Sequence, residues 1–161
     1  MVFSQILVAF DGSEDSVLAL QKAKELAFEC KSNLTIAYVH DENYAAPLAS
    51  EQTVIPAHSH GFVGTAPSPN RMEREASKQM DHTPEKVLEK ARNLLESIQY
   101  NADYETLYGN PAKEICDFAN NMKVDLIVIG SRGLGKIKKM MMGSVSNKVT
   151  NNAHCPVLVV K

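Results

Sequence analysis

Along this 161-residue chain, short unbroken apolar runs alternate with stretches in which apolar residues recur at helical spacing. The first run is Ile6-Leu7-Val8-Ala9-Phe10, and it stops at Asp11-Gly12-Ser13. A continuous apolar run of this length predicts a strand buried on both faces. Ser13 is placed to cap a helix, with Glu14 and Asp15 in a first turn that favours negative charge. Val17, Leu20, Ala23, Ala27 and Cys30 then mark one helical face, while Lys22, Glu25 and Glu29 fall on the opposite side. Leu34 to Val39, rich in β-branched and aromatic residues, predicts a second strand.

Residues 41–82 change character. Four of the seven prolines (Pro47, Pro56, Pro67, Pro69) fall here, with Gly61, Gly64 and many polar residues. This predicts a long variable excursion, with a short helix near 71–80, rather than a second domain. Thr83-Pro84 is a cap followed by a first-turn proline. Val87, Leu88, Ala91, Leu94, Leu95 and Ile98 then outline a helix ending near Tyr100. Asp103 to Tyr108 alternates and is polar, which predicts a weaker third strand. Gly109-Asn110 turns the chain, and Pro111 opens a helix carrying Ile115, Cys116 and Phe118. Leu126 to Ile129 contains no polar residue and predicts an interior strand. A Gly- and Lys-rich connection spans Gly130 to Gly143, a short helix Ser144 to Asn152, and a last strand Val157 to Val160.

Five strands alternating with helices predict an α/β domain over residues 1–161, an open five-stranded parallel sheet with helices on both faces. Ligands of such sheets bind beyond the carboxyl ends of the strands, where the strand order switches. Three turns therefore attract interest: Asp11-Gly12-Ser13, Val39-His40-Asp41 and the segment from Gly130. Composition narrows the function. With 17 basic and 19 acidic residues the net charge is -2, which disfavours a phosphate-gripping nucleic-acid binder. No run approaches the ~18 apolar residues of a membrane span. The opening residues lack a basic signal-peptide region. Three widely spaced cysteines (Cys30, Cys116, Cys155) without a CxxC pair suit reduced thiols, so a cytoplasmic protein is expected.

The chemistry concentrates in GSRGLGKIKKMMMGSVSNKV, residues 130–149. A glycine-rich turn after an interior strand exposes backbone N–H groups. Gly143-Ser144 opens the next helix, whose free N–H groups and dipole attract phosphate. Ser144 and Ser146 add hydroxyls, and Arg132 and Lys136 add charge. A long solvated loop is the plainer alternative. Gly130, Gly135 and Lys136 fit a Walker A loop, but Ile137 stands where a Mg²⁺-ligating Ser or Thr is needed. The dinucleotide fingerprint begins at Gly133 and Gly135 and fails at Lys138. The spacing G-x2-G-x9-G-[ST] fits without a gap, as Gly130, Gly133, Gly143 and Ser144.

On that spacing the chain resembles the ATP-binding branch of the universal stress protein family. The likeness extends to ILVAFDGSEDS, the Tyr38-Val39 strand end, GNPAKEI, VDLIVIGSRG and CPVLVVK, and so covers nearly the whole sequence. It implies a Rossmann-like, adenine nucleotide alpha hydrolase-like fold holding ATP across the carboxyl edge of the sheet. Asp11 then matches the acidic residue that bonds the ribose or base. Ala9, Phe10 and Val39 match adenine-side positions. Gly130 and Gly133, with Ile129 before them and Arg132 between, match the phosphate-cradling turn. Gly143, Ser144, Val145 and Ser146 match the helix start that holds the phosphates. From the residues alone, Asp11 is either an acceptor for ribose hydroxyls or an ordinary turn Asp before Gly.

No residue stands out as a general base, so the expected role is a nucleotide-dependent stress-response or signalling module without catalytic residues. A slow ATPase or nucleotidyl-transfer enzyme on the same fold is the alternative. Mg²⁺ or Mn²⁺ would arrive with the phosphates, not in a protein cage. The final apolar strand would be an exposed edge, and pairing Val157 to Val160 across a two-fold would cover it. The resemblance likewise implies a homodimer through this strand. Outside the glycine segment little competes. His58-Ser59-His60 has too few ligands for a metal site. His40 suits an exposed loop, Met140 to Met142 suit packing, and Lys136, Lys138 and Lys139 suit a solvated face. Asp11 to Ser16 is also similar to the SGGxDS loop of ATP pyrophosphatases, but Asp11 and Ser13 replace its first Ser and second Gly.

Overall fold

A computed structural model describes residues 3–41, 83–96, 100–134 and 142–161. The expected excursion and its helix near 71–80, the His58/His60 pair, Ile98 and residues 135–141 of the glycine segment lie outside the described residues. In chain order the elements are β1 (Gln5–Ala9), α1 (Glu14–Cys30), β2 (Asn33–His40), α2 (Pro84–Glu96), β3 (Asp103–Tyr108), α3 (Pro111–Asn121), β4 (Leu126–Gly130), α4 (Ser144–Asn152) and β5 (Val157–Val160). The strands form one parallel sheet in the order β3-β2-β1-β4-β5. β1 is the middle strand. The chain builds outward from it to β2 and β3, then returns to place β4 on its other side, so the strand order switches between β1 and β4.

Strand alternation sorts the apolar run into two cores. Ile6, Val8, Leu34, Ile36, Leu126 and Val128 face one side, where they meet Ala19, Leu20, Ala23 and Ala27 of α1 and Val87, Leu88, Ala91 and Leu95 of α2. Leu7, Ala9, Ala37, Ile127 and Ile129 face the other, against Ala112, Ile115 and Ala119 of α3 and Val149 of α4. The unbroken apolar character of β1 and β4 thus follows from helices on both faces. The polar alternation of β3 fits its place at one edge of the sheet.

The helix boundaries follow local chemistry. Ser13 caps α1, its hydroxyl accepting from Ser16 N–H at 3.3 Å. Asn110 caps α3 through Lys113 N–H at 3.3 Å, with Pro111 opening the helix. Thr83 Oγ1 faces Lys86 N–H at 3.5 Å before α2. One expectation needs adjustment at a boundary. Phe10 belongs to the first apolar run, yet β1 ends at Ala9; Phe10 N–H still bonds Ala37 O at 2.9 Å while its side chain fills the α1/α2 core. Ala19, absent from the expected apolar face of α1, is fully buried, whereas Val17 and Cys30 are half-buried. Among the described residues no helix is long and apolar enough to cross a membrane.

Candidate functional site

The switch in strand order brings together the turn after β1, the end of β4 and the start of α4. Asp11 leaves β1 and folds back on the turn it begins. Its Oδ1 accepts from Ser13 N–H at 3.0 Å and from the Ser13 hydroxyl at 2.5 Å. Among the described residues its Oδ2 carries no hydrogen bond, and this oxygen faces Gly133. A Cβ on Gly133 would lie 2.5 Å from Asp11 Oδ2. Only a glycine lets the segment after β4 come this close to a carboxylate that two hydrogen bonds hold still. Lys90 of α2 ties the same turn from outside, its Nζ donating to Gly12 O at 2.6 Å.

Gly130 meets a different neighbour. A Cβ there would sit 2.7 Å from the Asp15 carbonyl carbon and 2.8 Å from Ser16 N. This glycine therefore lets the end of β4 press on the first turn of α1. The contact is polar as well as steric. Asp15, only 9% exposed, accepts from Ser131 Oγ at 2.7 Å, Arg132 N–H at 3.1 Å and Arg132 Nε at 3.1 Å, with Arg132 Nη2 at 3.3 Å from its second oxygen. Burial alone would push this carboxyl up. The bonds from Ser131 and Arg132 and the Arg132 charge outweigh it, and the net displacement is below the ordinary 3.8.

Ser131 is the crossing point of these contacts. Its N–H donates to Val160 O of β5 at 2.6 Å, and its carbonyl accepts from Gly143 N–H at 2.7 Å and from Ser146 Oγ at 2.9 Å. One buried serine thereby joins β4, β5, α1 and the start of α4. Gly143 is the N-cap of α4 and supplies no side-chain cap bond, so the first N–H groups of this helix are left for an outside acceptor. Ser144 is exposed at this end, and Val145 is half-buried. The Ser146 hydroxyl, expected as a donor to phosphate, is 3% exposed and turned inward to Ser131 O and Gly143 O. Likewise the Arg132 guanidinium, expected to add positive charge to the glycine segment, is engaged by the Asp15 carboxylate.

The residues expected on the adenine side occupy the same edge. Ala9 and Ile129 form the last pair between β1 and β4, and both are buried, as is Phe10. β1 pairs with β2 only as far as Ala37. Ladder alternation turns the Val39 peptide toward β1 beyond that last pair, where its N–H and C=O meet the open edge. Tyr38 lies within electrostatic reach of Asp11: burial raises its hydroxyl pKa, and the Asp11 charge raises it further. The structure thus gathers Asp11, Val39, Gly133, Gly143 and Ser144 around one edge. Gly130, Arg132 and Ser146 form the layer beneath. Sequence reasoning missed Asp15 and Ser131 as parts of the site. Asp15 reads as a first-turn acid and matches the Asp of the SGGxDS loop, but neither signal points to its Ser131 partner, 116 residues away.

Parallel strands in this order, with the glycine turn at the β1/β4 switch, define an α/β protein of the adenine nucleotide alpha hydrolase-like fold. The chain belongs to the universal stress protein family, whose model matches residues 3–161. It is 38% identical over 162 residues to the universal stress protein YxiE of Bacillus subtilis, covering 99% of this chain and 100% of that one. In structure it is similar to MJ0577 of Methanocaldococcus jannaschii, with a TM-score of 0.71, 24% identity and 100% and 97% of the two chains covered. It is also similar to a universal stress protein solved in complex with cAMP, with a TM-score of 0.67, 20% identity and coverage of 100% and 99%.

Proposed function

We propose that this universal stress protein is a single domain that binds ATP across the carboxyl edge of its sheet. In this reading it serves in the cytoplasm as a nucleotide-dependent stress-response or signalling module. The observation that carries this reading is the convergence of Asp11 Oδ2 and the Gly133 backbone with the uncapped N-terminus of α4. The first offers an acceptor for ribose hydroxyls, and the second a close backbone approach. The third offers N–H donors and a dipole for phosphate. Val39 would meet the base through its peptide group, with Ala9, Phe10 and Ile129 closing the apolar floor. Gly143, Ser144 and Val145 would hold the phosphates. Gly130, Arg132 and Ser146 would serve from below, by fixing where that backbone lies. The cAMP-bound relative in fold is consistent with an adenine nucleotide at this edge.

Mg²⁺ or Mn²⁺ would enter with the phosphates, since the described residues offer no group of three or more His, Cys, Asp or Glu. ATP supplies a charged triphosphate when bound; the chain's own part is to orient it and to couple its presence to the shape of the edge. A homodimer would form through β5, where Leu158 is 37% exposed on an edge strand. The test is to purify the full chain, denature it, chromatograph the released nucleotide, and titrate stripped protein with ATP and Mg²⁺ by calorimetry. ATP near one per chain, or saturable binding on titration, is the expected result. Neither one occurring refutes the reading. Recovery of ADP in place of ATP would point to turnover, which must then vanish in Asp11→Asn and Ser144→Ala.

A further inference from the structure

We infer that Asp15 is a positioning residue for the phosphate half of this site, acting through Ser131 and Arg132 without touching the ligand. This rests on the nucleotide-binding reading above and adds a residue and a mechanism to it. Asp15 is almost fully buried, and such a carboxylate is retained only with a full set of partners. Every hydrogen-bond partner described for it comes from Ser131 and Arg132, residues inside the G-x2-G turn. The bond to Arg132 N–H fixes the peptide plane between Ser131 and Arg132. The bond to Ser131 Oγ fixes the residue whose carbonyl receives Gly143 N–H and Ser146 Oγ. A displacement at Asp15 is therefore passed to both phosphate-facing elements, the Gly133 turn and the α4 start. The adenosine-facing residues Asp11 and Val39 are held mainly by other bonds, those of Ser13 and of the β2 ladder; the Ser13 hydroxyl reaches the turn only through a long 3.4 Å contact to Arg132 O.

Asp15 also determines what Arg132 does. With the guanidinium paired, the cradle is built from backbone N–H groups of the Gly133 turn and of the first turn of α4 after Gly143, and the arginine's charge is balanced beneath it. Loss of Asp15 should thus weaken the hold on phosphates and leave the hold on adenosine unchanged. A general structural role would weaken both together.

The experiment compares full-length wild type, Arg132→Gln and the double variant Asp15→Asn/Arg132→Gln, using ATP and adenosine as probes in calorimetric titrations. Removing Arg132 in both variants keeps a freed guanidinium from reaching the phosphates and masking the effect. Arg132→Gln alone is the reference for the double variant and should retain part of the wild-type ATP binding, because Asp15 keeps its bonds to Ser131 Oγ and the residue 132 N–H. Adding Asp15→Asn should weaken ATP binding by about tenfold or more, while adenosine binding stays within about twofold. Should the double variant not fold by circular dichroism, Ser131→Ala takes its place. It removes a single hydroxyl, and ATP binding should fall about threefold or more with adenosine unchanged. Equal weakening of both ligands overturns the inference, as does ATP binding that Asp15→Asn leaves unchanged. A loss already complete in Arg132→Gln overturns it as well, by making Arg132 a direct phosphate ligand. If wild type binds neither ATP nor adenosine, it is the nucleotide-binding reading that fails.

Discussion

Replacing Gly130 with alanine tests whether this glycine is demanded by the fold or by a ligand. The added Cβ would meet the Asp15 carbonyl carbon at 2.7 Å, Ser16 N at 2.8 Å and Asp15 Cβ at 2.9 Å, against 3.4–4 Å in ordinary contact. Two of the three are main-chain atoms in the first turn of α1, so no side-chain rotation relieves the clash. The end of β4 and the start of α1 must part by about 0.7 Å or more, an overpacking strain of about 1–3 kcal/mol. That movement also stretches the 2.7 Å bond from Ser131 Oγ to Asp15, adding about 1 kcal/mol. Alanine narrows the unfolded ensemble and returns about 0.4–1 kcal/mol. The net expectation is a loss of about 1–3 kcal/mol, or roughly 3–10 °C in Tm for a chain of this length. Urea and thermal unfolding followed by circular dichroism measure it. A variant within about 0.5 kcal/mol of wild type would refute the packing role and leave Gly130 a purely ligand-facing residue.

Three other outcomes follow from the same geometry. Gly133→Val places a side chain against Asp11 Oδ2 at an exposed position, so ATP affinity should fall about tenfold or more in a variant that still folds; wild-type affinity in the folded variant sinks the close-approach argument. Asp15→Asn should cost about 1–3 kcal/mol at pH 7. The folded-state pKa of Asp15 is depressed, so its contribution is full above the ordinary 3.8 and is lost as the pH falls through the lower folded value. The gap between wild type and variant in urea unfolding should therefore close below about pH 3.8, and a gap constant down to pH 3 contradicts the charge-based account. Leu158→Glu puts a charge on the outer face of the edge strand β5 and should convert a dimer to monomer in light scattering; a wild-type monomer at micromolar concentration removes the dimer proposal.

Much of the fold was legible because its signals are local. The apolar runs of β1 and β4 report burial on two faces, and Ser13, Thr83-Pro84 and Asn110-Pro111 announce helix starts within three or four residues. The polarity of β3 foreshadowed its edge position. The glycine spacing marked the segment that the fold brings to the β1/β4 switch for the same reason, since backbone exposure and helix starts are properties of neighbours in sequence. Side-chain direction was not legible. Arg132 reads as a free cation beside glycines, yet its partner is 117 residues away, on a helix whose acidic first turn already had a sufficient local explanation. Ser146 reads as a second hydroxyl at the helix start. Its inward turn depends on Ser131 O, 15 residues earlier, and on the capping geometry of Gly143.

The tie between Asp15 and Ser131 closes a loop of more than a hundred residues, and Ser131 in turn is hydrogen-bonded to Val160. Neither half of the chain owns a complete edge: one lends the acid and the helix turn, the other the glycines and the second helix start. Closing so long a loop carries its entropy cost once, at the global folding step, and no local refolding event regains it. A ligand held there selects chains in which the two halves have already met. At a hundredfold excess over Kd it would raise the stability of the whole domain by about 2.7 kcal/mol, and would slow amide exchange in β5 as much as in β1. If the edge holds a nucleotide as proposed, occupancy becomes a gauge of tertiary integrity: a chain whose two halves part would release the ligand even where its helices persist.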